Sequence, residues 1–388
     1  KIEQAFFHNN RLGFLSRDNV SMSQSQDFYN FYHTSAQTVT DADPVDISCS
    51  AIRPAALHGI IPTTQGLVLF SKSQQFLMSS ADGILTPSSA NIRTISNYEM
   101  DTNVDPVDMG TNINFLSKTP SYTRIFGMVT RGQEENPIVL DIGRVVNEWV
   151  PATIDTFIAS PQNQFLAMSS QSDKKVYFYR TYSDGKENLV EAWFNWELMG
   201  TVQTVAVDQD DMFAVTKQGN QFTLSVASLS QSPSDAIIVN NDGSRINPCM
   251  DLYTEASNGQ TGGSLKKVEF DTTNRFSKCY IPWNNVTGLT PVIVVKGTTA
   301  TGQFTESGFT TTPTVVTDDG SYPYFKVQGK DLSDVQNDVI VGWKYDLDVI
   351  LPKTYVRTDQ EQKITDYTAT LTVARMKFAV GLSGVMGF

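Results

Sequence analysis

The sequence predicts an all-β protein: a β-propeller with about five visible blades, a smaller inserted β domain and a C-terminal β segment. Three observations carry the prediction. Apolar strand-like runs recur roughly every 50 residues, polar turn residues separate the runs, and little in the chain shows helical periodicity. Composition agrees, with 40% hydrophobic, 18% charged and 11% aromatic residues, which suits short strands joined by many turns.

The first element is a hairpin, Arg11 to Leu15 and Asn19 to Ser23 around Ser16, Arg17 and Asp18. An aromatic cluster follows, Phe28, Tyr29, Phe31 and Tyr32, and then the acidic segment Asp41 to Asp46 around Pro44. Similar units begin at Gly66 (GLVLFSKSQQFLMSSADG), Thr111 (TNINFLSKTPSYTRIFGMVT), Asn163 (NQFLAMSSQSDKKVYFYRTY) and Asp211 (DMFAVTKQGNQFTLSVASL). Their apolar anchors are Leu12, Leu67, Ile113, Phe165 and Met212. One hairpin cannot bury its apolar face alone, whereas blades arranged radially cover one another. A closed ring commonly needs more than five blades, so further strands are expected to complete it. An irregular β-sandwich is the alternative.

The string DPVD occurs twice, in DADPVDIS at Asp41 to Ser48 and in NVDPVDMG at Asn103 to Gly110. Proline fixes φ and donates no hydrogen bond, so Pro44 and Pro106 belong at turns or strand starts. The neighbouring carboxylates either cap turns or bind calcium, but calcium loops supply more ligands and a glycine at the sharp turn. Three tryptophans, Trp149, Trp193 and Trp196, read as blade core, with a sugar-binding platform as the alternative. Trp193 and Trp196 are expected to cover one blade face across a bulge.

After Leu229 the rhythm breaks into SQSPSDAIIVNNDGSRINP and the connection SNGQTGGSLKKV. The blades are accordingly placed over 1–235, with a smaller inserted β domain over 236–340. Strands over 341–388 return to the main body, including VIVGWKYDLDVIL, KTYVRTD and YTATLTVARMKFAV. In the last of these, alternation of Thr368, Thr370 and Thr372 with apolar residues reads as a half-exposed sheet. The chain starts at Lys1 and ends beyond LSGVMG at Phe388, which reads as a fragment or a processed product.

Chemistry is sparse. The formal net charge of -12, with no Lys/Arg cluster, argues against a high-affinity grip on nucleic-acid phosphates. Cys49, Cys249 and Cys279 form no CxxC pair and imply no disulfide framework. His8, His33 and His58 show no metal-ligand spacing. No nucleophile elbow, phosphate loop or dinucleotide fingerprint occurs, and no apolar run is long enough for a membrane-spanning helix. No catalytic, cofactor or metal residue is assigned, and no cofactor is expected. A propeller glycoside hydrolase stays open because two carboxylates suffice for it.

The runs NRLGFLSRDNVSMSQSQDFYNFY, DADPVDIS, GLVLFSKSQQFLMSS and DGILTPSS, with DVIVGWKYDLDVILPKTYVR and TLTVARMKFAVGLSGV near the end, carry a family resemblance. The chain resembles the tail tubular protein B, or tail nozzle, family of podovirus-type phages. The resemblance covers most of the chain and is weakest between about Asp235 and Val335. It implies a non-enzymatic virion tail protein that assembles as a homohexamer beneath an adaptor or gatekeeper ring of the tubular protein A type. It also implies that the hexamer extends the channel for DNA ejection, lets genomic DNA pass without specific binding and helps to dock tail fibres. The alternative is a carbohydrate-binding or host-recognition propeller.

Overall fold

The structure is a computed structural model. It describes residues 1–49, 55–80, 83–129, 136–146, 148–183, 188–229, 238–239, 245–246, 250–256, 268–283, 289–295, 309–316, 323–345, 347–350, 356–357, 365–366, 368–370, 372 and 377. The chain divides into two compact units, Lys1–Leu229 and Ser230–Phe388.

Among its described residues, the first unit holds five antiparallel sheets in chain order. The first contains β1 (Gln4–His8), β2 (Arg11–Ser16), β3 (Asn19–Met22) and β4 (Val45–Ser48). The second contains β5 (Leu57–Thr63), β6 (Gly66–Ser71), β7 (Gln75–Ser79) and β8 (Asn91–Ser96). The third contains β9 (Val107–Asp108), β10 (Ile113–Lys118), β11 (Thr123–Val129) and β12 (Ile138–Asp141). The fourth contains β13 (Thr156–Ser160), β14 (Phe165–Ser169), β15 (Lys175–Ser183) and β16 (Asn188–Glu197). The fifth has three strands, β17 (Thr201–Asp208), β18 (Asp211–Gln218) and β19 (Gln221–Ser228).

Each strand pairs with its sequence neighbour, so turn chemistry sets the register. Asn9 and Asn10, with φ of 48° and 57°, form the two-residue turn that pairs His8 with Arg11. Asparagine tolerates this left-handed region, and such a turn matches the twist of the strands it joins.

The sheets stack face to face, and period-two alternation sends successive side chains to opposite neighbours. Leu67, Leu69, Phe76 and Met78 of the second sheet pack with Leu15, Val20 and Met22 of the first. Val68, Phe70 and Leu77 of the same sheet pack with Ile113, Phe115, Phe126 and Met128 of the third. Leu116 and Ile125 then meet Leu166, Met168, Tyr177 and Tyr179 of the fourth. Its other face, Phe165, Ala167, Val176 and Phe178, packs against Val202, Val205 and Met212 of the fifth. Fully burying one such side chain contributes about 1.5–3 kcal/mol, so these four layers hold the unit together. The five anchors Leu12, Leu67, Ile113, Phe165 and Met212 all lie on the second strand of their sheets.

Trp193 and Trp196 depart from the expectation of a shared face. β15 and β16 pair without a register shift from Lys175 to Tyr182, and the irregularity lies at Tyr182/Ser183. A three-residue offset therefore puts the two rings on opposite sides: Trp193 with Tyr179 at 4.7 Å, Trp196 with Phe178 at 4.7 Å. The two DPVD strings also occupy unlike positions, since Val45 opens a fourth strand and Val107 a first strand. In both, proline immediately precedes the strand.

Among its described residues, the second unit contains two four-stranded antiparallel sheets. One joins β22 (Asp251–Glu255), β25 (Pro291–Val295), β26 (Phe309–Thr311) and β29 (Val339–Trp343), in the order β22-β29-β25-β26. The other joins β23 (Val268–Asp271), β24 (Phe276–Tyr280), β27 (Thr314–Val316) and β28 (Tyr324–Gln328), in the order β23-β24-β28-β27. Fully buried Phe325 and Trp343 meet edge-on at 5.2 Å between the two sheets. Two short pairs accompany them, β20 (Ile238–Val239) with β21 (Arg245–Ile246) and β30 (Val356–Arg357) with β31 (Thr365–Asp366). The expected strand through Thr368 and Thr370 is absent from 368–370; the Asp366 carboxylate accepts the amide and hydroxyl of Thr368 in a turn. SNGQTGGSLKKV, except Val268, and the terminal LSGVMG lie outside the described residues, as do most of SQSPSDAIIVNNDGSRINP and Cys249.

Candidate functional surface

The long β3–β4 connection, which holds the aromatic cluster and the first DPVD string, is a built loop. Its neck is closed by Arg11, the first residue of β2, whose side chain shares the core-facing side with Leu15. Arg11 is 2% exposed, and its Nη1 donates to the carbonyls of Ser23 and Asp43 at 2.7 Å each. Its Nη2 donates to the carbonyl of Asp41 at 2.6 Å. Both ends of the loop are thus tied to one guanidinium, whose planar fork suits several acceptors at once. Burial lowers the Arg11 pKa and the nearby Asp43 charge opposes this.

Asp43 is itself covered. Its carboxylate accepts the backbone N–H of Thr40 at 2.7 Å, with the N–H and hydroxyl of Thr34 at 3.3 and 3.1 Å. The Thr40 N–H leads the effects that hold the carboxyl down at about 2; burial pushes the other way.

Inside this frame, Phe28 meets Phe7 edge-on at 5.2 Å and Phe31 lies against Phe14 at 5.6 Å. Two loop aromatics thereby cover part of the outer face of the first sheet. Tyr29 and Tyr32 point outward, 94% and 82% exposed.

The remaining sequence candidates fall into turns, strands, the loop surface or the core. Asp46 accepts from Ser21 at 2.8 Å and from Asn19, while Asp108 accepts the Gly110 N–H at 2.7 Å. Among the described residues, no group of three or more His, Cys, Asp or Glu is arranged to hold a metal. His8 and His58 are half-buried in the first two sheets and His33 is exposed on the loop. Burial lowers the pKa of His8. Trp149 meets Tyr177 at 5.0 Å and Trp193 at 6.2 Å between the third and fourth sheets. Cys49 and Cys279 are buried free thiols, pushed up to about 11 and about 12 by burial. A shallow recess, too small for more than a water molecule, lies beside β11, where Arg124 donates to the Tyr122 hydroxyl at 3.2 Å.

Sequence reasoning found the aromatic cluster and missed Arg11. The available signal was an arginine on the apolar side of an alternating strand, a position that demands a dense set of acceptors.

Solved structures similar to the chain include Kluyveromyces lactis Hsv2p, at 10% identity and a TM-score of 0.39, covering 71% of this chain and 78% of that one. The Neurospora crassa Pan2 WD40 domain is similar at 7% identity and a TM-score of 0.34, covering 71% and 74%. Among curated proteins, the chain is 28% identical over 235 residues to the tail tubular protein gp12 of Escherichia phage T7. That alignment covers 59% of this chain and 29% of the relative's length. A family model described as bacteriophage nozzle protein matches residues 1–388. The chain therefore belongs to the bacteriophage nozzle proteins, a family of structural tail proteins rather than enzymes.

Proposed function

We propose that this chain is a structural component of a short-tailed phage's tail nozzle, helping to form the distal channel through which DNA leaves the virion. The observation that carries the reading is the family match along residues 1–388. The stack of sheets supports it as a scaffold: five antiparallel sheets cover one another through four continuous apolar layers. We read these sheets as blades of a β-propeller over 1–235, with an inserted domain over 236–340 and returning strands over 341–388.

The charge supports a conduit. A net charge of -12 repels phosphates, and a wall that bound DNA tightly would slow its exit. The channel lining is accordingly net acidic or neutral. The partners proposed are five further copies in a homohexamer, an adaptor ring of the tubular protein A type and the tail fibres. Trp149, Trp193 and Trp196 pack between sheets, which favours this reading over a glycan-binding face.

Electron microscopy of assembled tails tests the proposal. The expected result is a sixfold ring containing this chain, with a lumen lined mainly by acidic and neutral side chains. A single copy in the tail, or a lumen dominated by Lys and Arg, overturns it.

A further inference from the structure

Each four-stranded sheet of the first unit ends in an edge strand, β4, β8, β12 or β16. An open edge invites another strand, and proteins blunt such edges with polar or charged side chains. Three of these edges follow that rule. Their exposed residues are Asp46 and Ser48 on β4, Asn91 and Thr94 on β8, and, among the described side chains of β16, Glu191 and Glu197. On β12 the exposed residues are instead Ile138 and Leu140, the latter 59% exposed, and Val145 of the helical turn that follows is 85% exposed. Val129, paired with Ile138, adds a further exposed apolar side chain to the same rim. The second and fourth sheets already pack on the two faces of the third, so this edge stays open however many sheets extend the stack. An apolar, unblunted edge of this kind marks a docking surface.

The chemistry of the edge defines its occupant. A strand that fits brings backbone groups not used in a ladder of its own, and apolar side chains at every second position to lie beside Ile138 and Leu140. The second unit displays such a segment. The alternation of Val339, Val341 and Trp343 in β29 continues in the sequence as Tyr345, Leu347 and Val349, yet the described residues after Lys344 and up to Ile350 belong to no sheet. Leu347 and Val349 are 71% and 69% exposed. Their spacing of two residues equals that of Ile138 and Leu140, so both pairs meet in a single register. The chain on its own leaves the rim and this segment alike in contact with water.

We propose that residues 345–350 of one copy add as a fifth strand to the β12 edge of the third sheet in the next copy. This deepens the ring-assembly reading above and rests on it. A ring requires a head-to-tail contact made from two different surfaces of the same chain, and a sheet edge with a strand that extends it is such a pair. Main-chain hydrogen bonds hold the added strand, and the rim of Ile138, Leu140 and Val145 selects its apolar side.

The test uses the full chain and exposed positions only. Sedimentation velocity over a wide concentration range compares the parent with Leu140→Lys, Val349→Pro and Thr94→Lys, after circular dichroism has verified that each variant folds. Leu140→Lys charges the apolar rim, Val349→Pro removes a ladder donor from the added strand, and Thr94→Lys puts the same charge on the polar edge of the second sheet. The parent and Thr94→Lys are expected to assemble alike, and the other two about tenfold or more weakly. In a Cys249→Ser background, chains carrying Ile138→Cys are also mixed with chains carrying Leu347→Cys and treated with a flexible bismaleimide. Cross-linked dimers are expected in the mixture and not from either chain alone. Leu140→Lys or Val349→Pro assembling like the parent, Thr94→Lys weakening assembly as much as Leu140→Lys, or a mixture without cross-links overturns this contact and leaves the ring reading standing. A chain carrying both cysteines that links only to itself does the same, because its own segment then covers the rim. A parent that stays monomeric at every concentration overturns both.

Discussion

The Arg11 guanidinium donates to the backbone carbonyl of Asp43 at 2.7 Å, while the Asp43 carboxylate accepts from Thr40 and Thr34. One residue ties the loop to the sheet and the other ties the loop to itself. Arg11→Met would leave the carbonyls of Ser23, Asp41 and Asp43 without that donor in a covered site. A loss of about 2–4 kcal/mol in urea unfolding is expected, with faster proteolysis within 24–43. Arg11→Lys recovers only part of it, because an ammonium cannot reproduce the fork.

Asp43 gives the loop a defined pH response. Its folded pKa lies below its ordinary value of 3.8, so its stabilising effect is complete above that value and fades as pH falls toward about 2. Stability measured between those limits should fall more steeply for the parent than for Asp43→Asn, which cannot titrate. Equal slopes would contradict this assignment.

Phe178 joins the fourth and fifth sheets, stacked on Phe194 at 4.8 Å and only 1% exposed. Phe178→Ala is expected to cost about 3–5 kcal/mol, since the surrounding strands cannot collapse into the void. Hydrogen exchange should report the effect first in β17 to β19, whose apolar core among the described residues is shared with the fourth sheet.

The thiols of Cys49 and Cys279 are held protonated by burial. At pH 8 the peptides carrying them should resist maleimide labelling in the folded protein and react fully in denaturant, as read by mass spectrometry. Rapid native labelling of either would contradict the burial described.

The central hairpins were legible in the sequence because both of their strands are apolar. β6 and β7 are buried almost throughout, and the anchors at Leu67, Ile113 and Phe165 mark equivalent strands. Outer strands carry a weaker signal: β8 and β12 are half exposed, β8 mixes polar with apolar residues and β12 is only four residues long, so turn and strand look alike. The aromatic loop was visible as composition, but its anchoring was not. Arg11 finds its acceptors 12 to 32 positions away, and only the folded path of the loop brings them together. The pairing of Trp193 and Trp196 failed for a simpler reason, because three residues is an odd step in a strand of period two.

Because the middle sheets are apolar on both sides, hydrophobicity alone cannot tell one alignment of a central strand from the next. Slipping β6 by one position would exchange Leu67 and Leu69 for Val68 and Phe70, and every ring would still be out of water. The information that forbids the slip sits at the strand ends. Gly66, at φ 137°, brings its backbone against the Met78 carbonyl, where a β-carbon would collide. Ser71 closes on Gln74, and the buried side chain of Gln75 reaches the Tyr98 carbonyl and the Ser96 hydroxyl. In this architecture the apolar residues supply the cohesion, and a few polar residues and one glycine act as the alignment marks. Exchanges among the former should therefore be better tolerated than any change to the latter.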